Sequence, residues 1–590
     1  MNRRMIISGA AGSAFAALAG GARAAAEERP GGGEATGPPA AGPGDVDFPR
    51  RPHRLRTGDP SEAGLVAEHV DRIVPEVSAF MEGPEPSFPG FTVLAARDGV
   101  VVAHAAAGHR VRYASWDEET ETAVELPAEQ WEPATVDTIY DMASISKLFT
   151  ATVTGRMIDE GRIDPAAPVV EYLPEFDGLD AAKRPITVGQ LLSHTSGMIA
   201  FVNLYALPDD AARMAKIYAH PLQREPGSGY EYSDLNLIVL AEVLERVTGG
   251  ALDELVAEFV TGPLGMADTG YNPPPETVGR VAATEYQPWT GRGMIRGSVH
   301  DENAWSFGGV AGHAGVFSTA WDLAVFGQMV LNGGRYGEAA VLSEETTRLI
   351  FTNMNPGLGA GAARGLGWQI GQRFYMDAMS SPVTVGHTGY TGTSIVLDPL
   401  TGSLLVLLSN RVHPTRNRGA VSTYRRAAAR PMARAVPVEP RTGREAWYAG
   451  QADGTTATLT VPLRSPIDGG SAEFALWYDT ESTDVGALEA SGDGETWEPV
   501  GLELCAGEHR WSTDGAFSGF SGRRWIDARA ELPDGTAQLR WSYASDPSYQ
   551  GRGVYVDKIR VKRGWSTVFN GSRPHDRERI DAAGWSPSRN

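Results

Sequence analysis

The chain has 590 residues, too many for one ordinary domain, so two or three are expected. Its 73 acidic residues outnumber 52 basic ones, and the formal net charge of −21 opposes a nucleic-acid or anionic-membrane surface. One cysteine, Cys505, rules out intrachain disulfides, so apolar cores must supply stability. Cys505 itself is expected to be a small buried residue.

Residues 1–26 read as an export signal. Arg3 and Arg4 open it, a weakly apolar Ala/Gly-rich stretch runs to Gly21, and Ala22-Arg-Ala24 offers a small-x-small cleavage site. The paired arginines and modest hydrophobicity resemble a twin-arginine signal, which exports folded protein. A secreted or cell-envelope location is therefore expected. No other apolar run approaches the ~20 residues needed to cross a bilayer, so no membrane span is expected in the mature chain. Residues 27–50 are rich in Pro, Gly, Ala and Glu without periodicity, as in a disordered linker.

A first large domain is expected over 51–434. Leu65-Val-Ala-Glu-His-Val-Asp-Arg-Ile-Val74 has helical spacing. Phe91–Ala96 and Val100–Ala105 read as strands joined by an Asp98-Gly99 hairpin turn. Ser144-Ile-Ser-Lys147 opens a helix that runs to Glu160 and stops at Gly161. Residues at i and i+3 share a helix face, so Lys147 can reach the Ser144 hydroxyl. A serine hydroxyl is a poor nucleophile until a neighbour takes its proton, and this spacing supplies one locally. Of the five lysines, only Lys147 has a serine three positions earlier. Alone, the tetrapeptide is equally compatible with a surface helix capped by Ser144.

Two further motifs follow in order. Tyr232-Ser-Asp234 is a polar turn running into the apolar helix Leu237–Leu244. His387-Thr-Gly389 lies in a strand–turn–strand pattern, Val383–Val385 and Ser394–Leu397, with another strand at Leu404–Leu408. Ser-x-x-Lys, Tyr-x-Asp and His-Thr-Gly in this order resemble the serine β-lactamase and penicillin-binding protein superfamily. That superfamily includes class C β-lactamases, D-alanyl-D-alanine carboxypeptidases and related esterases and amidases. Leu191-Leu-Ser-His-Thr-Ser-Gly197, Gly262-Pro-Leu-Gly-Met266 and Gly312-His-Ala-Gly-Val-Phe-Ser-Thr319 add to the similarity, which covers residues 60–420. The implied fold is an α/β (α+β) β-lactamase/transpeptidase-like domain: an antiparallel sheet flanked by helices, plus an all-helical lobe.

The resemblance implies that Ser144 is the nucleophile of an acyl-enzyme, with Lys147 and Tyr232 sharing its proton. It implies His387 as the third-motif residue, with Thr388 and Gly389 lining the site and the backbone N–H groups of Ser144 and Tyr390 holding the oxyanion. Two departures bear on substrate. His387 replaces the lysine of most β-lactamases, exchanging a permanent charge for a fractional one near neutrality. Asp234 stands where asparagine is common, and an ionised carboxylate cannot donate to a substrate carbonyl. It can pair with Lys147 instead, which shifts the base role towards Tyr232. Both changes point away from a dedicated penicillinase.

After a linker at 435–445, composition changes. Ala457, Leu459, Val461 and Leu463, then Ile526, Ala528, Ala530 and Leu532, then Ala537, Leu539, Trp541 and Tyr543 alternate with polar residues. Such short alternating strands argue for an all-β sandwich over 446–563, similar to jelly-roll modules of secreted hydrolases, with 564–590 as a C-terminal tail. Trp447, Trp477 and Trp525 are expected to pack inside it rather than stack on sugars. Asp479, Glu481, Asp484, Asp493 and Asp557 are weighed as calcium ligands against solvated loop acids, and the latter reading is preferred. His300-Asp-Glu-Asn303 with His313 matches no familiar metal spacing and reads as a pocket-shaping loop; His194 reads as a loop brace. No Gly-x-Ser-x-Gly elbow points to an α/β-hydrolase. No metal or cofactor is expected.

The leading expectation is an exported serine hydrolase acting on an amide or ester, with peptidoglycan-derived muropeptides or peptides favoured. Small-molecule ester hydrolysis is the runner-up. The rival from another class is an inactive protein contacting cell wall or glycan through its C-terminal module.

Overall fold

The computed structural model describes residues 38, 40–178, 180–418, 422–450 and 452–590. The export-signal reading falls outside them. The first unit is built on a sheet ordered Arg56–Thr57, Val100–Val111, Gly90–Arg97, Ser403–Ser409, Ser394–Asp398, Val385–Thr388 and Gln369–Ile370. Gly90–Arg97 pairs antiparallel with Ser403–Ser409, so both ends of the unit meet in mid-sheet. The hairpin turn forms at Asp98 and Gly99, both with positive φ, as its sequence predicts.

Every residue of Ser403–Ser409 is buried, because both sheet faces are covered. Leu404, Val406 and Leu408 face the core that holds the helices Ser146–Asp159, Asp234–Thr248 and Ala320–Leu331. Leu405 and Leu407 face a second core with Tyr424, Ala428 and Met432 of the helix Thr423–Ala435. The helix Ser146–Asp159 is buried almost all round, which explains its small and apolar residues on every side. Phe149 stacks on Phe326 with centroids 4.7 Å apart.

Residues 40–50 correct the linker expectation. Val46 is only 1% exposed, and the Arg348 guanidinium donates to the carbonyls of Pro43 and Val46 while covering the Phe48 ring. Two apolar anchors among prolines and glycines suffice to seat the segment on the first unit. The 435–445 segment is likewise no free spacer, since Val436 and Val438 are buried.

The second unit is a sandwich of two sheets. The alternating residues fill one core as read from sequence: Ala457, Leu459, Val461, Ile526, Ala528, Leu539, Trp541 and Tyr543 share it. Trp477 is buried and Trp525 donates its indole N–H to the Glu439 carbonyl. Cys505 departs from expectation and is half-exposed, because alternation turns Leu504 and Ala506 inward and Cys505 outward. The expected tail at 564–590 is also corrected. Asp581–Ala583 pairs with Thr456–Ile467, Ser586–Ser588 pairs with Ala446–Ala449, and Trp585 is buried in the core. Three-residue strands are too short for their alternation to be read from sequence.

The two units share a charged, buried seam. Arg523 of the sandwich bonds Asp398 of the first unit at 2.5 Å and Asp479 of its own unit at 2.9 Å, with all three side chains largely enclosed. Arg430 pairs with Asp377 at 2.5 Å, and the Gln550 N–H donates to the same carboxylate at 2.9 Å. Trp585→Ala is expected to destabilise the protein by about 3–5 kcal/mol through an unfilled core site, measured by urea unfolding. An unchanged midpoint would mean that the last strands add nothing to the sandwich.

Candidate active site

Ser144 lies in the turn Ala143–Ile145 that opens the helix Ser146–Asp159. Ala143, just before it, has φ of 45°, a region that alanine rarely occupies. The buried Asp141 carboxylate holds this bend, accepting the Ala143 N–H at 2.8 Å and the His300 N–H at 2.7 Å. Such strain persists only where surrounding contacts over-determine it.

One helical turn on, Lys147 Nζ is 2.9 Å from Ser144 Oγ and donates to the His313 carbonyl at 3.0 Å. Its third partner is Asp234 Oδ1 at 2.8 Å, so the acid read from sequence does pair with the lysine. Lys147 is 1% exposed. Burial pushes its pKa down, but the Asp234 charge, the Tyr232 phenol and their hydrogen bonds outweigh burial and raise it above the ordinary lysine value. The resting side chain is therefore an ammonium.

The Tyr232 ring centroid lies 5.0 Å from Lys147 Nζ. The His194 ring packs 4.6 Å from it and the His387 ring 6.2 Å. His194 Nδ1 accepts the Ser233 N–H at 3.1 Å, which assigns its proton to Nε2. Burial, with Arg364 and Lys147, drives His194 well below the usual histidine range. It is a neutral brace for Tyr232 and its loop, in line with the sequence reading.

His387 sits in the strand Val385–Thr388 with Nδ1 2.9 Å from the Thr388 carbonyl, an acceptor only, so the proton is on Nδ1. Burial first, then Lys147 and Arg364, push its pKa down to about 3. The expected fractional charge is corrected: enclosed beside two cations, His387 is neutral at pH 7. Next to it, Gly389 leaves no room for a side chain, since an added Cβ would stand 2.0 Å from Thr393 Oγ1 and 2.4 Å from the Met142 carbonyl. Thr391 Oγ1 donates to the Asp141 carbonyl at 2.7 Å. The third motif thus clasps the backbone that leads into Ser144, with Thr388, Gly389 and Tyr390 as its wall.

Ser144, Lys147, Tyr232, Asp234 and His387 therefore form one cluster. Sequence reasoning missed three contributors. Asp141 and the His313 carbonyl act through local backbone geometry that no motif announces. Arg364, buried, bonds the Tyr230 hydroxyl and covers its ring at 4.9 Å; its stretch Arg364-Gly-Leu-Gly367 carries no chemical signature. In the His300–Asn303 segment, read from sequence as a pocket-shaping loop, His300 Nε2 is 2.9 Å from Glu285 and Asp301 is 2.9 Å from His313 Nε2, and Glu302 and Asn303 begin the helix Glu302–Ser306. Of the sandwich acids, Glu481 and Asp484 join Asp546 with oxygens within 4.8 Å of one another. Asp479 is used by Arg523, Asp493 by backbone N–H groups of Glu495 and Thr496, and Asp557 by Thr442.

His387 and His413 are both held at about 3 by burial, against an ordinary histidine value of 6.5. Below 6.5 the unfolded chain takes up protons that the folded chain refuses, so the unfolded state gains. Stability is expected to fall as pH drops from 6.5 towards 3 and to be flat in these groups above 7. Urea midpoints across that range test the sign; a midpoint that rises on acidification would contradict neutral, buried imidazoles.

The beta-lactamase family model matches residues 67–430 of the chain. A protein of Escherichia coli K12, provisionally named D-alanyl-D-alanine carboxypeptidase, is 32% identical over 393 residues, covering 61% of this chain and 86% of that protein. Its counterpart in Salmonella typhimurium LT2 is 31% identical over the same span. A solved family VIII carboxylesterase aligns with TM-score 0.47 and 24% identity, covering 62% of this chain and 99% of its own. Among the described residues no helix is long and apolar enough to cross a membrane. With the model matched across all three motifs, this chain belongs to the beta-lactamase family and is a serine hydrolase.

Proposed function

We propose that the protein is an exported hydrolase that forms an acyl-enzyme at Ser144 and cleaves amide bonds in peptidoglycan-derived muropeptides or peptides. The observation that carries this reading is Lys147 Nζ 2.9 Å from Ser144 Oγ, fixed on its other sides by Asp234 and the His313 carbonyl. A hydroxyl held this way has one rotamer to attack from, and its partner cannot swing away.

The steps follow from the charges. Lys147 is already protonated and has no lone pair, so it orients Ser144 Oγ without acting as its base. Tyr232, beside the Lys147 ammonium, relays the proton: its oxygen receives the Ser144 proton as Oγ bonds to the carbonyl carbon, and its own hydroxyl proton goes to the leaving nitrogen. Backbone N–H groups of Ser144 and Tyr390 hold the oxyanion. The C–N bond breaks as that nitrogen takes up the relayed proton, which leaves Tyr232 a neutral phenol. Water attacks the ester by the same route in reverse, giving the acid and restoring Ser144. Neutral His387 bears on substrate choice: without a cation at this position, β-lactam carboxylates have a weak anchor.

Similarity to a carboxypeptidase-named relative supports a peptide amide as substrate. Export rests on Arg3, Arg4 and Ala22-Arg-Ala24. The second reading, hydrolysis of small esters, is favoured by Asp234, which cannot donate to an amide carbonyl as asparagine would. Treatment with an activated phosphonate is expected to add one adduct at Ser144. Labelling should fall at least about a hundredfold in Tyr232→Phe, which lacks the proton acceptor. A well-folded sample with no adduct at Ser144 would falsify the nucleophile assignment. Asp234→Asn is expected to lower kcat rather than raise KM and to shift the pH profile, because the ammonium loses its counter-charge.

A further inference from the structure

Four large aromatic residues among those described are exposed: Phe201, Trp289, Trp305 and Trp565. Three of them surround the segment His300–Asn303, which also touches the catalytic cluster. Trp305 lies in the short helix Glu302–Ser306 capped by Asp301, and Asp301 bonds His313, whose carbonyl holds Lys147. Trp289 donates its indole N–H to Glu302 at 3.3 Å. Phe201 is fixed between Ala200, which accepts the Asp234 N–H, and Val202, whose carbonyl accepts from Asn303. The His300 ring packs 5.7 Å from Tyr390, the residue beside the third motif. The exposed rings are therefore carried by segments that adjoin Asp234, Asp301 and Tyr390.

Each indole is also held from behind. Arg292 lies 4.6 Å from the Trp305 ring centroid and Arg416 lies 5.3 Å from that of Trp289. Both arginines are themselves tied down, Arg292 to the Val299 carbonyl at 2.7 Å and Arg416 to Glu302 at 2.6 Å. A guanidinium on one face leaves the exposed area to the other face and the edge. Rigid, wet indole faces ringed by hydrogen-bonding charges suit a hydroxylated ring. Its C–H face can stack while its hydroxyl or acetamido groups reach Glu302, Arg292 and Arg416. An alkyl chain would make no hydrogen bond to these side chains, and shallow faces would leave most of the chain in water.

We propose that Trp289, Trp305 and Phe201 form an aromatic rim that receives a pyranose ring of the substrate, so that Ser144 acts on saccharide-bearing peptides. The proposal rests on Ser144 being the nucleophile. It adds a subsite that selects muropeptides over bare stem peptides, and Asp301 couples that subsite to the Lys147 acceptor.

Two measurements test it. The first compares kcat/KM for paired substrates that share one scissile bond, with and without an attached N-acetylated sugar. The sugar is expected to raise kcat/KM about tenfold or more, chiefly through KM. Trp289→Ala/Trp305→Ala should collapse that ratio towards one, and Trp305→Phe should keep most of it. The second follows tryptophan fluorescence of Ser144→Ala titrated with N-acetylglucosamine tetramer, where a saturable change is expected that Phe201→Ala weakens. Equal turnover of both substrates, or equal loss on both in the double variant, overturns the rim. Phosphonate labelling of Ser144 separates the two claims. Labelling without a sugar effect removes the rim alone, whereas saturable sugar binding without labelling removes the nucleophile assignment and leaves the rim.

Discussion

The ion pair between Lys147 and Asp234 is the constraint around which the site is arranged. An ammonium and a carboxylate 2.8 Å apart, with the lysine 1% exposed, are tolerable only if every remaining polar demand is met. Lys147 meets its own with Ser144 Oγ and the His313 carbonyl. His313 is in turn held by Asp301. Burial first, with the charges of Lys147 and Arg364 added to it, then sets the neighbouring rings. Two imidazoles are kept neutral beside the ion pair, and one of them braces the phenol of Tyr232. A cation that cannot give up its proton cheaply serves better to place an oxygen than to abstract a proton, and the proposed mechanism accordingly leaves proton transfer to Tyr232.

The candidate cluster was largely legible in the sequence, and for a physical reason. Ser144 and Lys147 are neighbours on one helix, so their contact needs no tertiary information. Tyr232 and Asp234 stand at the start of another helix, and His387 stands in a strand whose flanking glycine is demanded by a clash with the Met142 carbonyl. Motifs of this kind record local geometry. Asp141 and Arg364 left no such record, because their roles depend on which distant backbone meets them. The charge state of His387 was also hidden, since burial and two cations set it and neither is written in the residue type.

The fold divides along the same line. Strong alternation in Ile526–Leu532 and Thr536–Ala544 announced the sandwich, and the hairpin at Asp98-Gly99 announced the first sheet. What failed to announce itself was short or compositionally disguised. Val46 and Phe48 sit among glycines and prolines, and the three-residue strands at 581–583 and 586–588 carry too few positions for a period of two to emerge. Both segments matter structurally out of proportion to their length, because each covers an edge or face that would otherwise be wet.

The seam between the units constrains both of them. Arg523 is shared between an acid from each unit, and Asp377 is shared between a helix of one unit and a loop of the other. A sandwich recruited from another protein would bring the wrong complement of charges, stranding an acid or an arginine away from water at a cost of several kcal/mol. Changes on one side of the join must therefore be answered on the other.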